Sequence, residues 1–299
     1  MDRRCAVRRR GGGVHRARTP ADQTRARRAP GTGRGADPGI RAHASTGARR
    51  VNGRLADRTV VVTGAASGIG AAVARRAATE GARVACVDVN VAGAQEVAQA
   101  LDGAVAVSCD VTSFADVEAS LDTVVAQLGA VDVLVTSAGG SRGETVPFVD
   151  LDPATWHRMI DRNLTGTFYC ALVYARHMAE RGRGSVVLVS SQLSQVVRPG
   201  LAHYASAKGA INQLVKGMAV DLAGAGVRVN AVAPGPTQTP GNQAWFDRPE
   251  VLAEHARIIP LGRVARPDEI AGAVVHLASD DASFTTGATL FVDGGYTIV

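Results

Sequence analysis

The 299-residue sequence has very little lysine and few aromatic side chains. It contains two lysines, Lys208 and Lys216, among 33 basic residues, and aromatic residues make up 4% of the chain. Because arginine carries nearly all of the positive charge, a need for charge alone does not explain a lysine at position 208. We therefore expect Lys208 to have a role that a guanidinium group cannot fill.

Cysteines and long apolar runs are scarce as well. The four cysteines show no C-x-x-C spacing, so neither a disulfide scaffold nor a thiolate metal site is predicted. Cys86, Cys109 and Cys170 lie in apolar segments, and we expect them to be buried thiols of a cytoplasmic protein. No apolar run approaches the length of a membrane span, so the protein should be soluble. The seven histidines form no ligand-spaced cluster, and no metal is predicted.

The charge is divided unevenly along the chain. Residues 1–50 hold fourteen arginines and three acidic residues, net +11, whereas residues 51–299 hold nineteen basic and twenty-four acidic residues, net −5. The first segment has too few large apolar residues to offset the entropy of ordering it, so we expect a disordered tail.

Three interpretations of this tail compete. It is a basic arm for nucleic acid, an arginine-rich transit peptide, or a translated upstream region of a gene whose start lies later. We favour the third, because a GTG start codon would be written as Val51 and the pattern of a folded domain begins there. A nucleic-acid partner is accordingly not expected. A secretory signal is not predicted either, since no apolar stretch follows the charges.

From Val51 onward, short β-branched runs alternate with alanine-rich helical segments. This alternation is typical of repeated βαβ units, and it predicts one doubly wound α/β domain of Rossmann type over residues 51–299. We expect a seven-stranded parallel sheet, helices on both faces and a ligand beyond the carboxyl ends of the strands. The predicted strands are 59–64, 83–88, 104–109, 131–136, 185–190, 227–232 and 289–294. The predicted helices are 69–80, 90–101, 113–128, 153–181, 203–224 and 267–279.

A glycine-rich turn follows the first predicted strand. The glycines of "TGAASGIG" are Gly64, Gly68 and Gly70, and a helix begins directly after them. Such a turn lets the backbone approach a pyrophosphate, and the helix N-terminus supplies free N–H groups. Asp88 ends the second strand, where a carboxylate can accept hydrogen bonds from an adenosine ribose and would repel a 2′-phosphate. No arginine stands nearby in sequence, so NAD(H) is favoured over NADP(H).

Eight short motifs follow one another along the chain. They are "TGAASGIG" (63–70), "CDVT" (109–112), "TSAGG" (136–140), "DRNLTGTF" (161–168), "VSSQ" (189–192), "YASAK" (204–208), "RVNAVAPGPTQT" (228–239) and "VDGG" (292–295). Their order and spacing resemble the short-chain dehydrogenase/reductase family. The resemblance covers essentially all of residues 55–299 and implies an NAD(P)-dependent oxidoreductase.

The spacing of Tyr204 and Lys208 accounts for the unusual lysine. Residues four apart on a helix share one face, so the phenol and the ammonium are expected to lie together. A phenol is a poor base at neutral pH, and a nearby cation stabilises the phenolate and lowers its pKa. Lysine is a compact charge with three donors, able to serve both the phenol and a cofactor ribose.

The resemblance implies a role for each catalytic residue. Ser191 would hydrogen-bond the substrate oxygen, Tyr204 would exchange the proton, and Lys208 would tune Tyr204 and hold the nicotinamide ribose. Asn163 would organise a water that connects Lys208 to solvent. Ser190 should point to the opposite face and is expected to be structural.

The remaining expected cofactor contacts also come from the resemblance. Asp110 and Val111 look like an adenine-binding pair, and Thr239 resembles the residue that meets the nicotinamide carboxamide. One departure stands out: Thr136 and Ser137 replace the two asparagines that the family usually has there. The full predicted set is Gly64, Ser67, Gly68, Ile69, Gly70, Asp88, Asp110, Val111, Ala138, Gly139, Tyr204, Lys208, Pro234, Gly235, Thr237 and Thr239.

The substrate is predicted only as a class. The expected reaction is reversible hydride transfer between NAD(H) and a secondary alcohol or ketone. Segments 141–152, 192–203 and 237–260 should rim the pocket, and Gln192 and His203 are candidate substrate contacts. The alternatives are a non-catalytic dinucleotide sensor on the same fold and a 3-oxoacyl-carrier-protein reductase. By resemblance, the protein is expected to form a homotetramer or homodimer.

Overall fold

The computed structural model of the protein describes residues 53–141 and 143–299. The tail predicted over residues 1–50 lies outside the described residues. Everything below concerns the described part of the chain.

Seven parallel strands form one sheet, which confirms the predicted fold class. Their spatial order is β3-β2-β1-β4-β5-β6-β7. Along the chain, β2 and β3 are added on one side of β1 and β4 to β7 on the other, so the direction of strand addition reverses between β1 and β4. Because the strands are parallel, their carboxyl ends meet at one edge, and the reversal opens a crevice there. The strands are β1 Thr59–Thr63, β2 Arg83–Asp88, β3 Val105–Ser108, β4 Val133–Thr136, β5 Gly184–Val189, β6 Val227–Pro234 and β7 Thr289–Val292.

Helices cover both faces of the sheet. Val60 and Val62 of β1 pack into one apolar cluster with α1, α2 and α9, while Val61 points into the other cluster with α3, α5 and α6. A strand buried on both faces needs a continuous apolar run, which is why β1 reads "TVVVT". The helices are α1 Gly68–Thr79, α2 Val91–Gln99, α3 Phe114–Leu128, α4 Pro153–Ile160, α5 Gly166–Glu180, α6 Ala202–Leu222, α7 Gln243–Phe246, α8 Pro249–Ile258 and α9 Pro267–Ala278.

The long helix predicted over 153–181 is divided in the structure. A π-helical turn, Asp161–Thr165, separates α4 from α5 and places Asn163 at its centre. One extra residue in a helical turn changes the direction of the side chains on it, and such turns occur frequently at functional sites. Residue periodicity does not reveal this insertion, because the apolar pattern continues on either side.

The segment predicted as a loop over 237–260 contains two short helices. Pro249 begins α8 and presets its first turn, while α7 is a single turn that ends at Phe246. Val251 and His255 form the buried face of α8. The segment 237–260 therefore contains regular helices, and one side of α8 is buried against the rest of the domain.

Candidate active site

The predicted catalytic residues meet at the carboxyl edge of the sheet. Ser191 lies two residues beyond the end of β5, and Tyr204 and Lys208 occupy the first two turns of α6. Ser191 is 8% exposed and Lys208 is 4% exposed. The edge therefore holds a hydroxyl, a phenol and an ammonium in a largely desolvated place.

The Ser191 hydroxyl is free to donate toward this space. Its Oγ accepts a hydrogen bond from the backbone N–H of Leu193 at 3.1 Å, which orients the side chain. A hydroxyl that accepts once still has its O–H to donate. Burial raises the pKa of the Tyr204 phenol above its usual value, and the Ser191 side chain lowers it by a smaller amount.

Lys208 lies between the end of β5 and the Tyr204 ring. Its Nζ donates to the carbonyl of Val189 at 2.9 Å and lies 5.7 Å from the centre of the Tyr204 ring. Burial lowers the pKa of Lys208 to about 8. The four-residue spacing thus brings the two groups together as expected, but the net pKa shift of Tyr204 is upward, because burial is its largest cause.

A polar network behind Ser191 holds the β5 end to α6. Ser190 donates to Asn212 Oδ1 at 2.7 Å and to the Lys208 carbonyl at 3.2 Å, so its side chain is structural, as expected. Asn212 donates to Ser194 Oγ at 2.7 Å, and Ser194 donates to the Ser191 carbonyl at 2.6 Å. Sequence analysis missed Asn212 and Ser194. The available signal was the position of Asn212, four residues after Lys208 on the same helix.

Asn163 fixes the loop that follows β4. Its Oδ1 accepts from the Gly140 N–H at 2.7 Å, and its Nδ2 donates to the carbonyls of Met159 and Gly140 at 3.1 and 3.3 Å. A β-carbon on Gly139 would lie 2.6 Å from Asn163 Oδ1, so this approach needs glycine. The Asn163 side chain thus bonds backbone groups and anchors residues 139–140, and its water-organising role stays a prediction.

The glycine loop forms an open cradle before α1. Gly64 has φ +70 and lies so close to the Ala138 backbone that a β-carbon would come within 2.6 Å of it. Ser67, the residue before α1, makes no side-chain capping bond, which leaves the first N–H groups of α1 available to an anion. Across the cradle, a β-carbon on Gly68 would lie 3.3 Å from the Thr239 side chain. The loop that contains Ser67, Ile69 and Gly70 therefore fits a bound pyrophosphate.

Asp88 closes the cradle at the end of β2. Its Oδ2 accepts from the Ala66 N–H at 3.0 Å, and its Oδ1 accepts from the Asn90 N–H at 2.9 Å. Each carboxylate oxygen has a second lone pair that remains for ribose hydroxyls. The carboxylate is thereby held next to the glycine loop, as the sequence predicts.

The structure supplies a substitute for the missing asparagines after β4. Thr63 Oγ1 accepts from the N–H groups of Ser137 and Ala138 at 3.2 and 3.3 Å, which joins the β1 and β4 loops. Thr136 is 2% exposed, and its Oγ1 has no hydrogen-bond partner among the described residues. The loop contact therefore comes from Thr63 and from backbone groups.

The adenine and nicotinamide ends of the predicted cofactor site lie on separate loops. Asp110 accepts from the N–H and hydroxyl of Thr112 at 2.9 and 2.8 Å, and Val111 packs on the backbone at Gly166. At the end of β6, Thr237 donates to the Gly235 carbonyl at 2.9 Å. Pro234 is the last residue of β6.

The two predicted substrate contacts are both buried. Gln192 is 4% exposed, and a β-carbon on Gly235 would lie 3.0 Å from its Oε1. His203 has no exposed surface, and neither ring nitrogen has a hydrogen-bond partner among the described residues. Burial lowers the pKa of His203, while Glu144 raises it and Arg162 lowers it further. Sequence analysis missed Glu144 and Arg162, which form an ion pair at 3.1 Å.

Neither a metal centre nor a membrane-spanning helix occurs among the described residues. Within 53–141 and 143–299, no group of three or more His, Cys, Asp or Glu side chains is arranged to hold a metal ion. Among the helices of the same residues, none is both long enough and apolar enough to span a membrane.

Known proteins resemble this chain over most of its length. A family model described as enoyl-(acyl carrier protein) reductase matches residues 64–297. A cis-4-hydroxycyclohexanecarboxylate dehydrogenase of Sinomonas cyclohexanicum is 46% identical over 252 residues, a match that covers 82% of this chain and 98% of the relative. A D-threitol dehydrogenase of Mycolicibacterium smegmatis is 42% identical over 250 residues, which covers 82% of this chain and 95% of that protein.

Solved structures share the same fold. A gluconate 5-dehydrogenase from Burkholderia cenocepacia, determined in complex with NADP and tartrate, superposes with a TM-score of 0.78 at 37% sequence identity. The match covers 82% of this chain and 97% of that one.

Proposed function

The chain belongs to the short-chain dehydrogenase/reductase family, and from that premise we propose that Tyr204 is the acid and base of a reversible hydride transfer between NAD(H) and a secondary alcohol or ketone. The protein is an oxidoreductase that acts on alcohol and ketone groups with a nicotinamide dinucleotide. The preference for NAD(H) and the roles of individual residues are part of the proposal.

One observation supports these roles above the others. Ser191, Tyr204 and Lys208 come together at the carboxyl edge of the sheet, with the Lys208 ammonium 5.7 Å from the centre of the Tyr204 ring. A sensor that only binds the dinucleotide has no need of this arrangement. Buried titratable groups with shifted pKa values in a crevice are typical of catalytic sites.

The proton chemistry follows from the two shifted pKa values. Burial raises the pKa of Tyr204, so at neutral pH its Oη carries a proton that it can donate to a ketone oxygen. In the oxidation direction Tyr204 must accept the hydroxyl proton, and Lys208 is the cation placed to stabilise the phenolate. Ser191 donates to the substrate oxygen and orients it. The bound nicotinamide supplies the hydride acceptor or donor.

The glycine loop and Asp88 support the choice of NAD(H). The N-terminus of α1 suits a pyrophosphate, and the N–H groups of Ala66 and Asn90 hold Asp88 beside the glycine loop, where we propose that the adenosine ribose binds. A carboxylate there accepts bonds from the ribose hydroxyls and repels a 2′-phosphate. The gluconate 5-dehydrogenase was solved with NADP, so the preference of this chain needs its own measurement.

The two relatives indicate the substrate class. One acts on a hydroxyl group of a cyclohexane carboxylate, and the other on an acyclic polyol. We infer that the substrate is a small, hydroxylated molecule whose reacting group is a secondary alcohol. A carrier-bound 3-oxoacyl ester is the second candidate. The description of the family model shares with it only the acyl carrier protein, because an enoyl reductase acts on a carbon–carbon double bond.

Three further proposals concern the molecule as a whole. The dehydrogenase domain spans residues 51–299, as the change in charge predicts. The protein is a homotetramer or homodimer, since Leu290 is exposed on the edge strand β7 and Phe284, six residues earlier in the chain, is fully exposed. The location is cytoplasmic, because Cys86, Cys109 and Cys170 are free and buried, which suits a reducing compartment.

The first test is turnover with both cofactors. We expect the wild type to reduce NAD⁺ with a member of a panel of cyclic alcohols, polyols and hydroxy acids, with kcat/KM for NAD⁺ at least about tenfold above that for NADP⁺. Asp88→Ser should narrow this ratio. Oxidation of NADH by a 3-oxoacyl thioester, but by no ketone of the panel, would favour the second candidate. A preference for NADP⁺ would contradict the role given to Asp88.

A further inference from the structure

Residues 240–258, which contain α7 and α8, form a segment that we call the lid. It is fastened at both ends: Asn242 Nδ2 donates to the Thr237 carbonyl at 2.9 Å, and just beyond the lid the Leu261 N–H donates to the Gly294 carbonyl at 3.1 Å. Between these ends, the inner face of the lid buries Phe246 and His255. The middle of the lid is therefore held by what these side chains contact.

His255 makes the central contact of the lid. It is 1% exposed, and its Nε2 lies 3.2 Å from Nη1 of Arg198, in the loop 195–200. Its Nδ1 lies 2.7 Å from the Val251 carbonyl, which can only accept, so Nδ1 carries the ring proton. In the neutral ring, Nε2 is then the acceptor that Arg198 needs. The geometry thus assigns one tautomer to His255.

The loop 195–200 connects the two catalytic segments. It lies between Ser191 and Tyr204 in the chain, and its Gly200 carbonyl accepts from the Val146 N–H at 2.9 Å. A lid bound to Arg198 is therefore bound to the same loop that leads into the catalytic helix. Through Gly200, the contact also reaches the loop that follows β4.

We propose that Arg198 and His255 are positioning residues that latch the lid onto the catalytic loop, and that this latch holds only while His255 is neutral. The inference rests on the proposed function in one respect: it takes the lid to cover the substrate. The contact itself stands on hydrogen bonds between buried and half-buried groups.

Protonation of His255 at Nε2 removes the acceptor to which Arg198 donates. A proton on Nε2 turns it into a donor and places two cations 3.2 Å apart. The charged groups against this contact are Arg198 and, on α8 itself, Glu254, whose Oε1 lies 3.9 Å from Arg198 Nη2. From α7, the Phe246 ring lies against the imidazole, with the two ring centres 5.3 Å apart. Glu254 is half exposed and already faces Arg198, so it does not replace the lost acceptor.

The lid contains a tryptophan whose fluorescence can report on the lid's conformation. Trp245 lies in α7 directly before Phe246, and the only other tryptophan of the chain is Trp156, in α4. In the full-length protein with Trp156→Phe, fluorescence therefore reports on Trp245. We expect its emission to shift when the pH is lowered, because a proton on His255 Nε2 removes the acceptor for Arg198.

Two variants and one control isolate the latch. His255→Gln places an amide near the position of Nε2 and keeps an acceptor for Arg198 without titrating, so the shift should disappear. Arg198→Leu removes the cation, so the shift should also disappear while the lid stays loose at every pH. His276→Gln alters an exposed histidine on α9, and the shift should remain. A shift that persists in His255→Gln or in Arg198→Leu, or its absence in the parent protein, would overturn the proposal.

Kinetics supply the second readout. With an alcohol that is turned over, Arg198→Leu should raise the KM for the alcohol about tenfold, the loss expected for one charged hydrogen bond. We expect kcat to change less than about threefold, because Tyr204 and Ser191 are untouched. An unchanged KM would contradict the latch. The fluorescence test needs no substrate, so a failure of the proposed function would leave it intact.

Discussion

At the scale of single residues, two adjacent serines have different roles, one structural and one in the proposed active site. Ser190 points away from the crevice and donates to Asn212, whereas Ser191 points toward Tyr204, and its side chain lowers the pKa of the phenol. Alternation of side chains at a strand end predicts this division from the sequence. The hydrogen-bond partners of Ser190 could not be predicted, since Asn212 is distant in sequence and only the packing of α6 on β5 brings it close.

Replacing each serine in turn should distinguish the catalytic role of Ser191 from the structural role of Ser190. Ser191→Ala should lower kcat/KM about 100-fold or more, because the substrate oxygen loses its donor, with little change in melting temperature. Ser190→Ala should leave kcat/KM within a few fold but lower the melting temperature by a few degrees, because Asn212 loses a buried partner. Calorimetry and steady-state kinetics on both variants check this. Equal losses of activity in the two variants would contradict the assignment.

The unusual lysine is explained only in part by sequence reasoning. The spacing places Lys208 beside Tyr204 as expected, but it does not reveal that Lys208 also donates to the Val189 carbonyl. Nor does spacing predict burial, which raises the pKa of Tyr204 and lowers that of Lys208 to about 8. Both shifts depend on how many atoms surround the groups, a property of the folded chain.

At the scale of elements, the strands were predicted more accurately than the helices of the site. Each of the seven strands lies where the β-branched runs predict it, because a buried parallel strand requires a continuous apolar run. The π-turn Asp161–Thr165 and the lid helices α7 and α8 were not predicted. Both depend on contacts with other segments: Asn163 with the β4 loop, and His255 with Arg198.

The π-turn should affect activity and stability because its Asn163 side chain fixes the loop that follows β4. Asn163→Ala removes the two hydrogen bonds to Gly140 and the one to the Met159 carbonyl. We therefore expect kcat/KM to fall about tenfold or more and the melting temperature to fall by several degrees. Asn163→Asp keeps the Oδ1 acceptor for the Gly140 N–H. This variant should therefore retain part of the activity and part of the thermal stability. Thermal unfolding and kinetics of the two variants give the comparison. If Asn163→Ala loses activity at an unchanged melting temperature, a direct catalytic role is the better account.

At the scale of the whole molecule, exposed apolar side chains occur on the edge strand β7 and in the chain before it. Leu290 is exposed on β7, and Phe284 lies fully exposed six residues earlier. Exposed apolar side chains at a sheet edge favour association with a second copy. The sequence predicted association only by resemblance to a family, because exposure at an edge depends on the strand order.

Light scattering on the full-length protein tests this surface. We expect a mass two or four times that of the 30.8 kDa chain, and a smaller assembly for the double variant Phe284→Lys with Leu290→Lys. The chain 51–299 should assemble like the full-length protein, since the tail is not part of the proposed domain. A monomeric wild type would contradict the proposed assembly.

The central claim is that Tyr204 carries the proton in an alcohol–ketone oxidoreduction. Its most direct test is the turnover of Tyr204→Phe beside the wild type, with NAD⁺ and the best alcohol of the panel, and with NAD⁺ binding measured separately. Loss of the phenolic oxygen should lower kcat by about 100-fold to 10,000-fold while the Kd for NAD⁺ changes little. A variant that binds NAD⁺ and turns over at the wild-type rate would contradict the account.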